Sequence, residues 1–88
     1  MNKNQNRYWK TNDLYVAAFL FGKGAMIVGI EANDSKATFS FLDSFNRYNW
    51  HYEFQSGTPL IDARIYALAI QTLKHKAMDA LIENHGAH

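Results

Sequence analysis

The chain has 88 residues and a mass of 10.1 kDa, with 48% hydrophobic and 19% charged residues and a formal net charge of +1 at pH 7. That length holds one domain, the hydrophobic share can build a core, and the balanced charge gives no global pull toward nucleic acid, anionic lipid or acidic substrates. The absence of cysteine excludes a disulfide framework, a thiol nucleophile and every cysteine-based metal site.

Stability must therefore come from packing, within the chain or onto a partner. Two tryptophans, five tyrosines and six phenylalanines supply buriable area at about 150–250 Å² per ring. The longest apolar run, Leu14 to Phe21, is far shorter than the roughly 20 residues needed to cross a bilayer. It follows a basic start (Lys3, Arg7, Lys10), but Lys23 falls where small neutral residues should precede a cleavage site. A soluble cytoplasmic protein with no membrane partner is the expectation.

Residues 1–10 are polar and then basic-aromatic, and read as a flexible N-terminal segment. Thr11 or Asn12 can cap a helix with Asp13 in its first turn. That helix runs Leu14–Phe21 and stops at Gly22-Lys23-Gly24. It is apolar all round, so it needs cover on both sides, which points to a partner subunit. Met26–Glu31 and Lys36–Leu42 read as two strands of a β-hairpin, joined by turn chemistry over Ala32-Asn33-Asp34-Ser35. Residues 43–56 read both ways. As a strand, Tyr48, Trp50, Tyr52 and Phe54 alternate. As a helix, Asp43 caps it, Phe45, Tyr48 and Tyr52 share a face, and Gly57 ends it.

Asp62 can cap the last helix, from about Ala63 to Glu83. Its stripe of Ile65, Tyr66, Ala69, Ile70, Leu73, Ala77, Ala80 and Leu81 keeps a 3.6-residue period. Leu68, Met78 and Ile82, with His75 among them, form a second stripe on the far side. These three residues and Val16 and Leu20 of the first helix are the candidate self-association surface.

The run Thr11-Asn12-Asp13-Leu14-Tyr15-Val16-Ala17-Ala18-Phe19-Leu20, then Lys23-Gly24, Val28-Gly29 and Thr38-Phe39-Ser40-Phe41, resembles an uncharacterised bacterial and phage family, domain of unknown function 5659. Gly57, Asp62-Ala63-Arg64 and the final amphipathic helix extend the resemblance over about residues 8–82. It implies a helix over 43–56, a phage or mobile-element origin and no transferable activity or site.

The histidines His51, His75, His85 and His88 offer no paired ligands at a useful spacing, so no metal and no cofactor are expected. Asp13, Asp43 and Asp62 are explained as helix-start residues and Asp34 as a turn residue, and there is neither a Gly-x-Ser-x-Gly elbow nor a phosphate loop. No catalytic residue is assigned. Arg7-Tyr8-Trp9-Lys10 and Arg47-Tyr48-Asn49-Trp50-His51-Tyr52 interleave cations with rings, as surfaces that stack bases and neutralise phosphates do.

The expected architecture is a single α+β domain over residues 11–84, of order α-β-β-α-α, with the hairpin packed against helices and a flexible C-terminus at 85–88. The expected function is a non-enzymatic, self-associating accessory module, with a homo-oligomer as partner. The alternative is nucleic-acid binding through Arg7, Trp9, Lys10, Arg47 and Trp50.

Overall fold

A computed structural model describes residues 8–43, 45–57 and 59–86, with the side chains of 45–48 and 84–86 outside that description. The elements are β1 (Tyr8–Thr11), α1 (Leu14–Lys23), β2 (Ile27–Asn33), β3 (Lys36–Leu42), α2 (Phe45–Gln55) and α3 (Ala63–Gly86). The fold is the expected α+β domain with one added strand at the start. No helix among the described residues is long and apolar enough to cross a membrane.

Local chemistry sets the helix ends. Asp13, rather than Thr11 or Asn12, is the N-cap of α1, its Oδ1 accepting from the amides of Tyr15 (2.9 Å) and Val16 (3.2 Å). Thr11 Oγ1 in turn accepts from the Asp13 amide at 3.1 Å. At the other end the helix runs through Gly22 and Lys23 and turns off at Gly24, whose φ of 111° is left-handed. The Gly24 amide donates to the Phe21 carbonyl and the Ala25 amide to Leu20, the paired bonds of a Schellman motif. Asp62 caps α3 as the sequence suggests, accepting from Arg64 and Ile65. The helix continues to Gly86, so residues 85–86 lie within α3.

The three strands form an antiparallel sheet in the order β1-β3-β2. β2 and β3 are the predicted hairpin, turning at Asp34-Ser35 with Asp34 at a left-handed φ of 59°. β1 pairs along the other edge of β3, matching Trp9 with Phe41 and Lys10 with Ser40. Residues 8–10 therefore belong to the domain and not to a flexible leader; residues 1–7 lie outside the described residues. Side chains at matched positions share a face. Trp9, Ile27 and Phe41 point to one side, with Ile30 and Phe39. Tyr8, Lys10, Ser40 and Glu31 point to the other.

The helices cover the first side. The core is Val16–Leu20, Ala25, Phe39, Phe41, Ala69 and Leu73, so α1 is enclosed by α3, α2, β1 and the sheet. Apart from exposed Tyr15, its apolar surface is covered inside one protomer, and Val16 (8% exposed) and Leu20 (0%) are core residues. This corrects the expectation that they lie at a subunit contact.

The stretch 45–55 is helical. Trp50 and Phe54, four residues apart, pack on the core. Phe54 lies 5.3 Å from Phe19, centroid to centroid, while Tyr52 between them is exposed. Lys23 fastens the return to α3. Its Nζ donates to the Leu60 carbonyl at 3.1 Å and lies 3.9 Å from Glu53, whose Oε2 accepts from the Leu60 amide at 2.7 Å.

Candidate interaction surface

The two basic-aromatic runs do not converge into one surface. Trp9 is half-buried on the core side of β1, its ring 4.8 Å from His51 and 6.3 Å from Phe41. Lys10, the next residue of the same strand, is exposed on the opposite face of the sheet. Trp50 is half-buried against the core, with Cη2 4.0 Å from where a Cβ on Gly24 would sit. Arg7 lies outside the described residues. Arg47 stands in the first half of α2, its side chain outside the description. Both tryptophans are committed to packing, and strand alternation separates Trp9 from its neighbouring cation. A platform of Trp9, Lys10 and Trp50 is thus not assembled on one face, contrary to the expectation.

The far side of α3 is different. Leu68, Met78 and Ile82 are 55%, 51% and 64% exposed. They stand opposite the helix's core line, in which Leu73 is fully buried and Ala80 half-buried. Exposed Gln71 and His75 lie in the same outer line. Grooves flank the helix on both sides. One, of about 380 Å³, runs between α3, the start of α1 and the hairpin turn, with Leu14, Phe39 and Met78 in its walls and Lys36 and Lys74 beside it. Another, of about 400 Å³, separates α3 from β2, lined by Ile27, Ile30 and Ala80 with Lys76, Asp79 and Glu83. One flank of the outer face is thus basic and the other carries Asp79. In the sequence Gln71, Lys74 and Asp79 are legible as lying away from the core stripe, and their spacing relative to Leu68, Met78 and Ile82 is the signal that places them on this face.

α3 is held in place from its inner side. The Tyr66 hydroxyl donates to the Tyr15 carbonyl at 3.2 Å. Burial, then the Asp13 carboxylate, then Tyr15, raise the Tyr66 pKa above its ordinary value of 10.0. A tyrosine harder to ionise in the folded chain contributes its full stabilisation below its unfolded pKa and loses it as pH rises through the folded value. Alkaline conditions above about pH 10 are therefore expected to weaken the anchoring of α3. Tyr66→Phe should cost about 1 kcal/mol at neutral pH through the lost hydrogen bond. The gap to wild type should narrow as pH climbs. Urea denaturation across that range measures it, and two curves that stay parallel would contradict the assignment.

No group of three or more histidine, aspartate and glutamate side chains suited to a metal ion exists among the described residues. No buried side-chain nitrogen or oxygen there lacks a hydrogen-bond partner. No family model, no curated protein and no solved structure matches the chain.

Proposed function

We propose that this chain is a small non-enzymatic interaction module that associates with itself through the outer face of α3. The observation that carries the reading is the exposure of Leu68, Met78 and Ile82 on the longest helix of a domain whose core is already complete without them. Single exposed apolar residues are ordinary. Three in one line on one helix, with polar Gln71 and His75 between Leu68 and Met78, make an interrupted apolar strip that a matching strip can cover. The basic flank at Lys74 and the acidic residue Asp79 on the other side give that strip a polar rim, the arrangement of a reversible interface.

Sedimentation equilibrium over tens to hundreds of micromolar tests it. The expected result is a mean mass that rises with concentration above the 10.1 kDa of one chain. A mass that stays at one chain throughout removes the reading.

Nucleic-acid binding remains the second reading, on one observation: Tyr8 and Lys10, both exposed, share the face of the sheet turned away from the core. Titration with single- and double-stranded oligonucleotides across a salt series separates the two. Steeply salt-dependent binding that Lys10→Glu weakens would favour this second reading, and its absence leaves the first.

A further inference from the structure

We infer that the outer face of α3 is the seam of a two-stranded parallel coiled coil, on which a second copy of this chain docks in register. This rests on the self-association reading and adds to it the orientation and register of the partner. Leu68, His75 and Ile82 are seven residues apart, and so are Gln71 and Met78, which follow Leu68 and His75 by three. That alternation of three and four is the a and d pattern by which one helix meets another along its length. Leu73 and Ala80, also seven apart, fall at the heptad position opposite the seam; Leu73 is buried in the core and Ala80 is half-buried toward β2. One helix thus carries two faces on two sides: the inner binds its own protomer, and the outer is free to bind a helix.

Charge decides the occupant and its direction. Lys74 takes a g position on one flank and Asp79 an e position on the other; both are exposed. Among the described residues neither forms an ion pair within the protomer. In a parallel in-register pair, each g residue meets the e residue five places later on the partner helix. Lys74 of each copy then meets Asp79 of the other, twice over by the two-fold symmetry. An antiparallel pair centred on His75 would instead bring Lys74 against Lys74. The complementarity is between the chain and itself, which selects a second copy over an unrelated helix. His75 at an a position and Gln71 at a d position lower the affinity and fix the register, as polar residues in such seams do, so the association is weak and reversible.

The absence of cysteine gives a clean test on the full chain. Leu68→Cys and Ile82→Cys place single thiols near the two ends of the seam. In a parallel in-register dimer, like positions approach the range of about 4.4–6.8 Å between Cα atoms that a disulfide spans. Each variant alone, under mild oxidation, is expected to give a covalent dimer roughly tenfold or more faster than Tyr52→Cys, an exposed position on α2, because docking raises the effective thiol concentration. An equimolar mixture of the two, carrying tags of different size, should give no enhanced mixed dimer. Enhanced crosslinking only in the mixture would mean an antiparallel pair and overturn the inference, leaving self-association standing. No enhancement in any arm, with wild type still associating by sedimentation, would move the contact off α3 and overturn it too. Wild type that sediments as a monomer overturns both readings.

Discussion

Truncating Phe41 to alanine is expected to remove about 3–5 kcal/mol of stability. Phe41 is fully buried in the central strand of the sheet, matched across β1 with Trp9 and across β2 with Ile27, and its ring lies 6.3 Å from that of Trp9. Its loss opens a cavity where both strand pairs and the helix layer meet. Domains have net stabilities of only about 5–15 kcal/mol, and a chain of this size lies near the lower end. Most of the unfolding free energy should therefore disappear, with partial loss of structure at room temperature. Urea denaturation followed by far-ultraviolet circular dichroism measures the change. Tyr52→Ala, at a side chain 71% exposed, is the control and should move stability by no more than about 0.5 kcal/mol. Equal costs at the two sites would contradict the placement of the core.

The second large effect is a gain. His75→Leu is expected to tighten self-association by about tenfold or more. The substitution replaces a polar a-position residue with one that fills the same layer from both copies. Burying a leucine side chain is worth about 1.5–3 kcal/mol relative to leaving it in water, and about 1.4 kcal/mol is tenfold in an equilibrium constant. His75 is exposed in the protomer, so the folded monomer gains little, and the whole effect appears in the concentration dependence of mass. Ile82→Lys, one heptad on in the same line, should do the reverse and shift the chain to monomer while leaving the unfolding midpoint of the monomer near its original value. A histidine substitution that left the dissociation constant unchanged would place His75 outside the contact.

What the sequence revealed and what it hid follow from the range of the interactions involved. α3 and its Asp62 cap were legible because capping and the 3.6-residue stripe are local. The hairpin was legible because alternation and turn chemistry fall within neighbouring residues. β1 was not: it has only four residues, and its partner β3 begins 25 positions after it ends, so nothing near Tyr8–Thr11 announces the pairing. Residues 45–55 read equally as strand or helix from their rings. Tertiary contact decides between them: a strand would put Trp50, Tyr52 and Phe54 on one face, whereas Trp50 and Phe54 pack on the core and Tyr52 is turned outward, as a helix allows. Val16 and Leu20 look in the sequence like a subunit contact for a related reason. The cover over α1 comes in part from β1 and α2, one unseen and the other ambiguous at that level. The candidate surface was only half legible. Its apolar residues stand out in the sequence, while the meaning of Lys74 and Asp79 depends on knowing which side of α3 the core occupies.

Methyl-resolved nuclear magnetic resonance across a dilution series tests most directly where copies of this chain meet. Signals of Leu68, Met78 and Ile82 are expected to shift with concentration along one binding curve, while those of Leu20 and Leu73, buried in the protomer core, stay fixed. Concentration-dependent shifts confined to Val28 on β2, or no shifts at all, would contradict a contact on α3.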